Sequence, residues 1–174
     1  SANQRTDDYG GSIPNNARFI LEVMQELIRA VGSKKVGIKI SPFNPYAAIV
    51  LNDPAATYNY LIEELNKLDF AYVELMRRSP YSASPENNGT HNELELFGRK
   101  IRQIVIANAG YDKASAEAEL EKGIAKLVSF GRLYIANPDL TERFEKNAPL
   151  SEADRKTIYG GGKQGYTDYP FCNE

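Results

Sequence analysis

Cysteine occurs once in the 174 residues, as Cys172, and histidine once, as His91. A single thiol cannot close an internal disulfide, so nothing calls for an oxidising compartment and the cytoplasm is the expected address. One His and one Cys also cannot furnish a zinc ligand set, and no metal site is expected. Charge of one sign is missing too. The 21 basic residues nearly balance 23 acidic ones, for a net charge of −2, which gives no electrostatic basis for nucleic acid or an anionic membrane as partner. Long apolar runs are absent: the first apolar stretch is broken by Glu22, Gln25 and Glu26, and none approaches the ~20 residues of a membrane span or has the pattern of a signal peptide. Without a secretory signal, the glycosylation triplet Asn88-Gly89-Thr90 reads as a chance match.

What is present has ordinary globular balance, 42% hydrophobic and 25% charged, enough for a single domain over residues 1–174 with a real core. Two hydrophobic periods alternate along it. From Arg18 to Val31, the residues Phe19, Ile20, Val23, Met24, Leu27, Ile28 and Val31 recur with helical spacing up to Gly32. The branched run Val36 to Ser41 predicts a buried strand stopped by Pro42. Asp53-Pro54 predicts a helix start whose stripe is Tyr58, Leu61, Ile62, Leu65 and Leu68. A strand over Ala71 to Met76 follows, then a polar excursion from Arg77 to Asn92 and a short helix from Glu93 to Lys100. The segment "IVIANAGYD" predicts a strand ending at Gly110 and a cap at Asp112, with a helix from Lys113 to Lys122. "KLVSFGR" predicts a fourth strand, Asn137-Pro138 opens a further short helix through Phe144, and a Gly- and Tyr-rich tail follows. Strands alternating with helices imply an α/β fold with parallel pairing through right-handed crossovers.

The last two strands end as "ANAG" and "SFGR". In a (β/α)₈ barrel, phosphate often binds at the loops after strands seven and eight beside a short extra helix. Gly110 and Gly131 would let backbone N–H groups approach an anion, and Arg132 would add a charge-assisted donor. Glycine is a common way to leave a strand; two consecutive strands ending so, one of them with Arg, point to an anion site.

Five stretches, "NQRTDDYGGS", "GIKISPF", "IANAGYD", "FGRLYIANPDLTERF" and "YGGGKQGYTDYP", resemble in order the motifs of the Old Yellow Enzyme family of FMN-dependent ene-reductases. In that family the Asn-x-Arg-Thr-Asp-x-Tyr-Gly-Gly loop follows the fourth barrel strand. The resemblance therefore implies the C-terminal half of a TIM barrel: strands five to eight, their helices and the C-terminal tail. Length agrees, since a whole barrel takes ~250 residues.

The resemblance assigns FMN binding to Lys39, Ala109, Gly110, Gly131 and Arg132, and substrate binding to Tyr159. Lys39 stands where the family usually has Arg, beside the flavin N1 edge, where a cation stabilises added negative charge; lysine keeps the charge and loses the planar fork. The other reading of Lys39 is an ion pair with Glu74 on the neighbouring strand, and the other reading of Tyr159 is a packing anchor. The implied chemistry passes hydride from NAD(P)H through FMN to an alkene activated by a carbonyl or nitro group. The family's carbonyl-polarising pair and proton-donating tyrosine lie in the first half, so no catalytic residue is assignable here, and the chain alone is expected to be inactive. Its partners would be a small activated alkene and a first half-barrel. The alternative is a non-catalytic half-barrel that assembles with a partner or its own copy and binds at most a phosphate-bearing ligand. His91 in the polar excursion reads as solvated, Cys172 as a free thiol, and Arg5, Asp7 and Asp8 as residues that order the opening loop.

Overall fold

A computed structural model describes residues 3–43, 53–78, 92–160 and 162–172. The elements run α1 (Ile13–Val31), β1 (Gly37–Ile40), α2 (Pro54–Leu65), β2 (Tyr72–Met76), α3 (Glu93–Leu96), β3 (Ile104–Asn108), α4 (Lys113–Glu121), β4 (Leu127–Ser129), α5 (Arg132–Ala136) and α6 (Leu140–Lys146). The four strands form one parallel sheet in chain order. His91, the Asn88 triplet and most of the excursion expected from Arg77 to Asn92 lie outside the described residues.

Local chemistry sets the helix starts. Asp53 accepts a hydrogen bond from the Ala56 N–H at 2.8 Å, with Pro54 in the first turn of α2. At α4, Asp112 and Ser115 form a reciprocal capping box. Helix α1 begins at Ile13, with Ser12 as its cap, five residues before the expected Arg18. Its first turn, Ile13-Pro14-Asn15-Asn16, lacks the apolar period, and its two asparagines are bound to the opening loop: Asn15 Nδ2 donates to the Gly10 carbonyl at 3.1 Å and Asn3 Nδ2 to Asn16 Oδ1 at 2.8 Å. Arg5 pairs with Asp7, whose Oδ1 also accepts the Tyr9 N–H, and Arg18 Nε donates to the Asp8 carbonyl. These residues order the loop, as expected.

Three other expectations are corrected. The fourth strand stops at Ser129 instead of reaching Arg132, which opens the extra helix α5. The expected helix at Asn137 starts only at Leu140, and the segment Glu93 to Lys100 divides into α3 and a 3₁₀ turn over Gly98–Lys100.

Alternation along the strands divides the molecule. Ile38, Ile40, Val73, Leu75, Val105 and Ala107 are buried with Met24, Leu61, Ile62, Leu65 and Ala116 of the helices in one core. The opposite sheet face carries Tyr72, Ile104 and Leu127, which are 38%, 50% and 53% exposed. On it the Tyr72 ring lies over Gly37, where a Cβ would sit 2.3 Å from the ring. The stripe of α1 divides in the same way: Met24 is buried with Ile20 and Ile28 packed against the core, whereas Phe19, Val23, Leu27 and Val31 remain exposed. Only part of the expected apolar face is therefore covered by the described residues.

The C-terminal segment is held by side chains. Arg143, 5% exposed, donates to Asp139 Oδ1 at 2.7 Å and to the carbonyls of Pro149 and Pro170 at 2.8 and 3.0 Å. Asp139 Oδ2 accepts the Cys172 N–H at 2.7 Å. Asn137, fully buried, donates to the Leu133 and Ser151 carbonyls and accepts the Ser151 N–H.

Leu75→Ala, at a position with no exposure, should destabilise the fold by roughly 2–5 kcal/mol in urea unfolding, whereas Ile104→Ala on the open face should change it by about 1 kcal/mol or less. The tail anchor should also be acid-sensitive. Desolvation raises the Asp139 pKa, but the Cys172 N–H and Arg143 outweigh it and hold the group below its ordinary 3.8. A depressed folded-state pKa contributes stability above the ordinary value and loses it as pH falls through the lowered one. Hydrogen exchange over residues 165–172 should therefore show protection at pH 7 that disappears in acid, and Asp139→Asn should lack that protection already at pH 7.

Candidate functional site

The carboxyl ends of β3 and β4 lie side by side, with Asn108 in register with Ser129 and its Nδ2 donating to Ser129 Oγ at 2.7 Å. The turns that leave them face one open cleft of about 430 Å³. Its wall brings together five of the six expected residues: Ala109 and Gly110 from the first turn, Gly131 and Arg132 from the second, and Tyr159 from the tail. Tyr159 is 85% exposed while its neighbour Ile158 is buried, so the tail is fixed by one residue and presents the next.

Backbone geometry explains the first turn. Ala109 and Gly110 have φ of 84° and 67°; this left-handed region is ordinary for glycine and unfavourable for alanine. Gly131 differs. Its φ is −106°, which any residue can adopt, and among the described residues a Cβ there would meet nothing within 4 Å. Neither backbone conformation nor crowding by the described residues accounts for the missing side chain, and the bare Cα leaves room along the cleft wall. That space, with backbone N–H groups and Arg132 around it, fits a phosphate group of a cofactor such as FMN.

Lys39 does not line this cleft. Its Nζ lies 3.2 Å from Glu74 Oε1, the ion pair weighed from the sequence. The same Glu74 oxygen accepts from Ser129 Oγ at 2.8 Å. A polar chain Lys39–Glu74–Ser129–Asn108 thus crosses all four strands on the open face, and its last two members reach the cleft.

Sequence reasoning missed Tyr111, Phe130 and Asp112 in the cleft wall. Tyr111 is 6% exposed; burial pushes its phenol up to about 12, against the opposing pull of the Arg77 charge. Asp112 is occupied in its cap with Ser115, whose hydroxyl and N–H hold the carboxylate below its usual range. Phe130 packs edge-on against Phe144 of α6 at 5.3 Å. The aromatic beside each of these glycines, Tyr111 after Gly110 and Phe130 before Gly131, was the available signal. Among the described residues no group of three His, Cys, Asp or Glu side chains could hold a metal, and no helix is long and apolar enough to cross a membrane.

Residues 1–151 match the family model of the NADH:flavin oxidoreductase / NADH oxidase family. The chain belongs to this family. Old Yellow Enzyme homologues share it. The 12-oxophytodienoate reductase 1 of Oryza sativa subsp. japonica is 40% identical over 176 residues, an alignment covering 100% of this chain and 46% of that protein. Among solved structures, morphinone reductase in complex with tetrahydroNAD superposes with a TM-score of 0.85 at 39% identity, over 99% of this chain and 45% of that one. The old yellow enzyme from Trypanosoma cruzi gives 0.89 at 30% identity, over 99% and 45%. The chain thus spans about half the length of the relatives it matches, and its four parallel strands correspond to the C-terminal part of their TIM barrels.

Proposed function

We propose that this chain is the phosphate-holding half of an FMN-dependent oxidoreductase that transfers hydride from NAD(P)H to activated alkenes, enones or nitroalkenes. The observation that carries the reading is the convergence of two consecutive strand ends, Ala109-Gly110 and Gly131-Arg132, with Tyr159 on one cleft. The relatives agree in kind: one is named a 12-oxophytodienoate reductase, and a morphinone reductase binds tetrahydroNAD. FMN, when bound, would supply the hydride-carrying ring. The residues of this chain would do the rest of the holding. Arg132 and the N–H groups around Gly110 and Gly131 bind the phosphate; Tyr159 shapes the acceptor side of the cleft. Lys39, on the open face and outside this cleft, would supply a positive charge that favours the electron-rich ring, moderated by its pairing with Glu74.

The same face explains the need for a second half. Tyr72, Ile104 and Leu127 on the sheet, and Phe19, Val23, Leu27 and Val31 on α1, leave two apolar surfaces exposed, at the positions where the other strands and helices of a closed barrel would lie. Covering them with a first half-barrel favours the enzyme reading. Covering them with a second copy favours a non-catalytic assembly that binds only a phosphate-bearing ligand.

Three measurements test the reading. The chain supplied with FMN alone should not catalyse NADPH-dependent reduction of cyclohexenone, and co-expression with a family first half should restore it. In the restored protein Arg132→Ala should weaken FMN binding at least about tenfold in a flavin fluorescence titration; unchanged affinity would refute the phosphate assignment. Lys39→Met should lower the flavin reduction potential by removing a charge that favours the electron-rich ring, with Lys39→Arg mild. An unaltered potential in the Met variant would leave Lys39 as the structural partner of Glu74.

A further inference from the structure

We propose that Arg77, which stands behind the cleft wall and not in it, is a positioning residue that aims the N–H groups of the turn after β3 at the phosphate; the inference rests on the phosphate reading above. Arg77 engages three successive carbonyls of that turn. Its own N–H donates to Asn108 at 3.1 Å, its Nε to Ala109 at 2.6 Å and its terminal guanidinium nitrogen to Gly110 at 2.7 Å. In a trans peptide the C=O and the N–H of the next residue point in opposite directions. Fixing the carbonyls of Ala109 and Gly110 on the Arg77 side therefore turns the N–H groups of Gly110 and Tyr111 to the other side. Ala109, Gly110 and Tyr111 line the cleft and Arg77 does not, so that other side is the cleft. Among the described residues no acceptor takes either N–H.

Two further observations show that the arrangement is built. Ala109 is held at a φ of 84°, a conformation that costs an alanine about 1–2 kcal/mol. Two charge-assisted hydrogen bonds to the carbonyls flanking the next peptide offset that cost. The guanidinium is also stacked on the Tyr111 ring, its central carbon 3.7 Å from the ring centroid, which confines its plane to the one that reaches both carbonyls. The cation thus lies at the oxygen end of two peptide dipoles whose positive ends face the anion. A lysine would offer its donors from a single nitrogen and lacks the planar fork that spans two carbonyls while stacked on a ring.

The test compares FMN with riboflavin, which shares the ring and ribityl chain and lacks the phosphate. In flavin titrations of the restored protein, Arg77→Met should weaken FMN roughly tenfold or more and leave riboflavin unchanged, with Arg77→Lys between the two. A purely structural role would weaken both flavins alike, and that result, or unchanged FMN affinity, would overturn the proposal. Should Arg77→Met fail to fold, Arg77→Lys decides by the same FMN-only loss. As a second readout, inorganic phosphate should shift the Gly110 and Tyr111 amide resonances in the wild type and not in Arg77→Met. If Arg132→Ala separates FMN from riboflavin while Arg77 variants do not, this inference fails and the phosphate site stands. If the wild type does not distinguish the two flavins, both fail.

Discussion

Parallel pairing in strict chain order is the constraint on which the rest of the structure depends. A parallel ladder cannot be closed by a hairpin, so each of the first three strands is followed by a connection, carrying α2, α3 or α4, that returns the chain to the same end of the sheet. All four carboxyl ends then share one rim. Because Asn108 and Ser129 are in register, turns twenty-one positions apart in sequence meet as neighbours. The cleft is a product of that register before any of its side chains is chosen.

The strand period of two governs what each face contains. One face is given wholly to apolar side chains under the helices. The other mixes Tyr72, Ile104 and Leu127 with one polar residue per strand: Lys39, Glu74, Asn108 and Ser129. A single carboxylate in a sheet interior would be costly to desolvate. Here Glu74 Oε1 takes donors from strands on both sides, the amine of β1 and the hydroxyl of β4, so its charge is met before any ligand enters.

Much of this was legible because it is periodic or local. The strands, the caps at Asp53 and Asp112 and the glycine-bearing strand ends are written in short windows. The pairing of Lys39 with Glu74 was also accessible, since adjacent parallel strands place like-positioned residues side by side. The start of α1 was hidden because its first turn is stabilised by hydrogen bonds to Asn3 and Gly10 and shows no apolar stripe. The partial exposure of its apolar face was hidden because periodicity reports which residues share a face and not what covers it. Arg77 read as the first residue of a polar excursion; its contacts depend on the register of β2 with β3 and on a left-handed alanine, neither of which a single segment encodes. Tyr159 was visible only through the family resemblance, since its approach to the cleft is set by anchors elsewhere.

Those anchors, Asn137 and Arg143, belong to helices and their connections, and the segment they hold makes no strand pairing among the described residues. The wall bearing Tyr159 is therefore hung from a few side chains instead of being woven into the ladder. The relative position of the turns after β3 and β4 is tied to the register of the sheet, but the Tyr159 end can be relengthened or reshaped while both hooks remain. Within one molecule, the cleft wall built on the sheet and the wall that bears Tyr159 are mechanically separate, and the second can vary in sequence without disturbing the first.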